Sequence, residues 1–159
     1  MDEEKRKKFL EEVERLKEER KNRPKEEPKY PYELFGVECG EGWKKLYQPI
    51  IDYVTKYNET NEDKIDIHQI KEKFGELRIY LSKYNEEVRQ MIDDAEEISY
   101  YTCEDCGKYI KKPIVVNHWI YPLCNDCYRK WEEDRAKAME EATKKIREKK
   151  ASKSENSQS

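Results

Sequence analysis

The chain has 159 residues, 43% of them charged and only 35% hydrophobic. That balance excludes a single core along the whole length and points to a modest one between Tyr32 and Trp131, flanked by exposed charged helices. A net charge of −3 excludes an overall basic field for nucleic acid, and no apolar run is long enough to cross a membrane.

Residues 2–22 are Glu, Lys and Arg at helical spacings, with Phe9, Leu10, Val13 and Leu16 on one narrow face. They predict a solvated helix with one docking stripe. The opening MDEEKRKKFLEE is too acidic and polar for a signal peptide. Pro24, Pro28 and Pro31 then break the pattern into a linker.

Tyr32 to Gly42 leads into a helix carrying Trp43, Leu46, Tyr47, Ile50, Val54 and Tyr57 on one side, with Pro49 expected to kink or restart it. From Lys64 to Leu81 the apolar period shortens to two. This predicts a β-hairpin turning near Lys73-Phe74-Gly75-Glu76, with Arg78, Tyr80 and His68 on its other face as a candidate binding surface. Residues 85–98 predict an amphipathic helix covering that hairpin, capped by Asn85, with Val88, Met91, Ile92, Ala95 and Ile98 inward. Its outer face is acidic: Glu86 to Glu97 carries six acids against Arg89 alone.

The chemistry concentrates between residues 103 and 127, CEDCGKYIKKPIVVNHWIYPLCNDC. Cys103 and Cys106, then Cys124 and Cys127, form two Cys-x-x-Cys pairs 17 residues apart. That spacing matches a four-thiolate structural zinc site holding one ion. Gly107 suits the positive φ such knuckles need. Tyr109 to Val116 and Trp119 to Leu123 predict strands around an Asn117-His118 turn, and the second pair opens a helix. Knuckle, hairpin and ligand-bearing helix is the order of a treble-clef finger. A redox dithiol would need a βαβ setting missing here, and disulfides would imply secretion. Reduced cysteines in metal spacing point to the cytosol instead.

The resulting architecture is α+β: a charged N-terminal helix (1–23), a Pro-rich linker (24–31), an α+β core (32–99), a four-cysteine zinc finger (100–131), an extended charged helix (132–150) and a disordered tail (151–159). The last helix has a weak stripe, Ala138, Met139, Ala142 and Ile146, and a basic run in which Lys144 to Lys153 holds six basic residues against one acid. Self-association through the terminal helices is left open by these stripes.

No catalytic set emerges. Four thiolates close the coordination position a hydrolytic zinc needs. Cys39 is the one spare cysteine, and only His68 and His118 exist to activate it; Cys39 reads as a small buried apolar residue. Asp93 and Asp94 are adjacent and face different ways, which suits a solvated surface.

The combination VECGEGW, KEKFGELRIYL, ISYYTCEDCG and PLCNDC resembles a family of small bacteriophage and prophage proteins. They share an ECGxGW motif, a KFGxLRFY-like hairpin and a four-cysteine finger in this order. The resemblance spans Phe35 to Cys127 and implies a phage-type origin and an α+β zinc domain, with no assigned activity; the long charged end helices depart from it. A weaker resemblance, to GATA-type fingers, rests on the cysteine spacing and LCNDC. It implies groove contacts by Lys108, Lys111 and Lys112 with a basic tail on phosphates, although Glu132, Glu133 and Asp134 stand where phosphates would approach.

The expected function is therefore a non-enzymatic zinc protein in the host cytoplasm that docks on a host protein, such as a component of anti-phage defence. Glu86, Glu87, Asp93 and Asp94 are candidates for imitating nucleic acid toward a basic cleft. The alternative is a nucleic-acid-binding regulator using the finger and the basic tail.

Overall fold

The computed structural model describes residues 3–22 and 27–156. Helix α1 spans Glu3–Asn22, with Leu10 exposed. The side chains of Phe9 and Leu16, with Pro24 and residues 157–159, lie outside the described residues. No described helix is long and apolar enough to cross a membrane.

The core begins earlier than the sequence suggested. Tyr30, expected in the linker, is buried, and its hydroxyl shares a 3.0 Å hydrogen bond with Thr55 Oγ1. A 3₁₀ turn at Pro31–Leu34 follows, with proline at its start where no amide is needed. A second, Glu41–Trp43, leads into α2, Lys44–Thr60. The helix runs through Pro49 without a restart. Proline deletes one hydrogen bond there, and the acceptor four residues back belongs to Lys45, at an exposed position open to water.

Strands β1 (Ile67–Lys73) and β2 (Glu76–Leu81) form the expected antiparallel hairpin. Phe74 and Gly75 take positive φ at the turn. The register slips between Ile67 and Gln69, leaving His68 as an exposed bulge residue. Ile65, just before the strand, is buried and clamped by Asn58, whose side chain bonds both its N–H and its carbonyl.

Helix α3, Glu86–Tyr100, packs on β2 and α2. Asn85 caps it by accepting from the Val88 N–H at 2.8 Å. Ser99, buried within α3, accepts the Leu77 N–H at 2.8 Å and donates to the Glu96 carbonyl, so the helix is bonded to the sheet as well as packed on it. The core joins Tyr30, Trp43, Tyr47, Ile50 and Val54 to the inward residues of the hairpin and to Val88, Ile92 and Ala95 of α3.

The finger hairpin is shorter than the sequence implied. Strand β3 is only Ile114–Val116 and β4 only Trp119–Tyr121. Tyr109 makes an isolated bridge to Thr102, Lys111 and Lys112 bend, and Pro113 supplies no amide, so no ladder forms across 109–113. Asn117 and His118 both take positive φ, the two-residue turn that suits strand twist. Helix α4 runs Asn125–Asn156, so helix replaces the expected disordered tail up to Asn156.

Candidate metal centre

The first pair of cysteines is set in a tight loop. The Cys103 N–H donates to the Lys108 carbonyl at 2.8 Å, and the Gly107 N–H donates to the Cys103 carbonyl at 2.9 Å. Gly107 closes this loop at φ 74°, a conformation that costs a residue with Cβ. The second pair straddles the start of α4: Cys124 precedes it and Cys127 lies in its first turn. A further bond staples the two pairs, from the Glu104 N–H to the Pro122 carbonyl at 2.7 Å.

These elements bring Cys103, Cys106, Cys124 and Cys127 together, with all four sulfur atoms within 4.8 Å of one another. Cys106 Sγ and Cys124 Sγ are 3.8 Å apart. A tetrahedron of sulfurs around an ion at 2.3 Å has edges of about 3.8 Å, whereas a disulfide requires about 2.05 Å. The cluster therefore has the composition and spacing to hold one metal ion.

The electrostatics agree. A backbone N–H from Cys127, with help from the neighbouring sulfurs, lowers the Cys124 thiol to about 7. Desolvation pushes Cys106 and Cys127 upward, and crowding by other sulfurs adds to it at Cys127. One thiolate is comfortable here and four are not, unless a cation supplies the missing charge.

Around the sulfurs, Cys103, Ile110 and Leu123 are buried, and Tyr121, Tyr128 and Trp131 form a collar with ring centroids 4.9 to 5.7 Å apart. Tyr128 and Trp131, on α4, thus fold back on the finger.

What the sequence did not reveal is how the finger joins the core. The Gly40 N–H donates to Glu104 Oε1 at 2.8 Å, the Gly42 N–H to the Glu104 carbonyl at 2.7 Å, and the Trp43 indole N–H to the Thr102 carbonyl at 2.8 Å. A Cβ at Gly42 would lie 2.4 Å from the Cys103 carbonyl oxygen, and one at Gly40 2.4 Å from that of Glu104. The GEGW segment is thus a strap laid on the first cysteine loop, and Glu104, between Cys103 and Cys106, is its anchor. On the far side Gly75, at the turn of the first hairpin, abuts Ile120 of the second.

The other candidates are dispersed. Lys108, Lys111 and Lys112 are exposed on the finger, and residues 106–123 contain no Asp or Glu. Lys111, Lys112, Phe74, Tyr109, Val115 and Ile120 border an open concavity of about 690 Å³. Arg78 is committed to ion pairs with Glu76 at 2.5 Å and Glu96 at 3.2 Å. Tyr80 is partly exposed under Lys71, whose Nζ lies 5.7 Å from its ring centre. Glu86, Glu87, Asp93 and Asp94 are exposed on α3, Glu87 accepting from the Tyr53 hydroxyl and Asp94 from Gln90. Cys39 is half-buried, and burial together with Glu104, Glu41 and Glu72 pushes its thiol up to about 12. A thiol held there stays protonated near neutral pH.

Compared with models of known protein families, with curated proteins and with solved structures, the chain matches none.

Proposed function

We propose that the chain is a non-enzymatic zinc protein of phage type that docks on a host protein, with anti-phage defence as the class of target. The observation that carries this reading is a cluster of four cysteines with the composition and spacing to hold one ion, in a finger bordered by exposed apolar side chains. Phe74 and Tyr109 are each 74% exposed and Val115 is 64% exposed, all around one concavity. Large apolar side chains left exposed together around one concavity support a contact surface. Zinc is the ion that four thiolates at this spacing select, and knuckle, hairpin and helix follow one another as in a treble clef.

The test is capture from bacterial lysate with and without nuclease, using the wild-type chain and a Tyr109→Ser, Val115→Ser variant of equal metal content. Host docking predicts a protein that survives nuclease and is lost with the variant. Equal capture by both chains contradicts this face.

A second reading, nucleic-acid binding, is favoured by one observation: Lys108, Lys111 and Lys112 lie in the acid-free segment beside Tyr109, whose ring stacks on Tyr101. It predicts affinity that falls steeply with salt through counterion release, and recovery of nucleic acid only without nuclease.

A further inference from the structure

Helix α4 departs from the rest of the molecule. Every described side chain from Glu132 to Lys153 is exposed, although the helix is 32 residues long, about 48 Å. Glu133–Lys137, Glu140–Lys144 and Glu141–Lys145 are spaced for intrahelical support. That explains why the helix persists but not its apolar seam. Met139 is 62% exposed and Ile146 55%. With Glu132, Arg135, Ala142, Lys149 and Lys153 they fall on the a and d positions of consecutive heptads.

The seam continues at its near end into a concavity of about 770 Å³ between α4 and the finger hairpin, lined by Val116, Trp119, Tyr121, Trp131 and Met139. Trp119 is 71% exposed. This is a different surface from the one around Tyr109 and Val115, because Val116 and Trp119 form one cross-strand pair and Val115 and Ile120 the next, on opposite faces of the hairpin.

Charge along α4 is polarised. Residues 132–141 carry five acids against two basic groups, and residues 144–153 carry six basic groups against one acid. A helix acidic in one half and basic in the other complements itself when reversed. We infer that α4 pairs antiparallel with α4 of a second copy of this chain, the basic half of each lying along the acidic half of the other and over the Trp119–Trp131 concavity. In the register that sets Met139 against Ala142 of the second copy, Arg135 meets Ile146 and Glu132 meets Lys149. The apolar layers sit at the centre and an opposite-charge layer closes each end. The apolar seam is short, so association depends on charge and weakens with salt.

Sedimentation equilibrium of the full, metal-loaded chain tests this. The wild type is expected to show a concentration-dependent shift from 19.4 kDa to twice that mass, suppressed by salt. Met139→Asp with Ala142→Asp weakens the association by about tenfold or more, because like charges then face each other in both central layers of the seam. Glu133→Lys, Glu140→Lys, Glu141→Lys makes both halves of α4 net basic, and Lys144→Glu, Lys145→Glu, Lys149→Glu, Lys150→Glu makes both halves net acidic. Each variant alone is monomeric, and an equal mixture forms a heterodimer. That rescue separates lost pairing from lost helix. A wild type that stays monomeric at every concentration, a mixture that stays monomeric, or undiminished association in the Asp variant overturns the proposal.

Discussion

The Gly42 N–H donates to the Glu104 carbonyl at 2.7 Å, so a residue at the head of α2 is hydrogen-bonded to the peptide between Cys103 and Cys106. The core and the finger share their backbone hydrogen bonds at this seam. Gly42→Ala would bring Cβ within 2.5 Å of the Cys103 and Glu104 oxygens and the Gly107 nitrogen, all of them backbone. No flexible side chain is there to give way. The substitution is expected to cost at least about 2 kcal/mol and to speed metal release to a chelator. An unchanged denaturation midpoint together with unchanged release contradicts the strap.

Trp43 tests the same seam through a side chain. It is buried, and its indole N–H donates to the Thr102 carbonyl at 2.8 Å. Trp43→Phe keeps most of the apolar volume and removes the donor. The loss expected is about 1–3 kcal/mol, measured by urea denaturation, and a neutral substitution would show that water replaces the bond.

Metal removal should act regionally. Cys103 is fully buried, and the finger has few apolar contacts apart from its collar. Chelation, or Cys103→Ser, is expected to abolish hydrogen-exchange protection across residues 100–131 and at Gly40 to Trp43, while α2 and α3 keep theirs. Site energies of about 10–16 kcal/mol would make a bound ion the main source of order there. Full protection in the metal-free chain would refute a structural ion.

Glu96 supplies a pH test. Burial raises its pKa above the ordinary 4.5, outweighing Arg78, which lowers it. The folded state therefore holds this proton more tightly than the unfolded one. Its contribution to stability is fully present below the unfolded value and lost as pH rises through the folded one. Glu96→Gln removes that loss. Between about pH 4 and pH 7, the stability of the variant relative to wild type should rise; a falling difference would show that the Arg78 ion pair dominates.

Local patterns were legible in the sequence. The period of two in Ile65 and Ile67, and again in Leu77, Ile79 and Leu81, marked the hairpin, Gly75 its turn, and the paired cysteines the cluster. What escaped was contact at distance. Gly40 and Glu104 are separated by 64 residues, and nothing local to either marks the other. The clue was GEGW itself, since two glycines before a buried tryptophan signal close backbone approach. Tyr30 escaped because neighbouring prolines disguised a core aromatic as linker. The helical end of α4 escaped because a polar stretch with intrahelical pairing reads much like a solvated tail.

The claim on which the rest depends is that Cys103, Cys106, Cys124 and Cys127 hold one zinc ion. Metal analysis of the purified chain combined with X-ray absorption at the zinc edge addresses it directly. The account predicts one zinc per chain with four sulfur neighbours at about 2.3 Å and no nitrogen or oxygen in the coordination sphere. A metal-free chain whose finger, residues 100–131, remains folded, or a zinc ion carrying a water or histidine ligand, would contradict it.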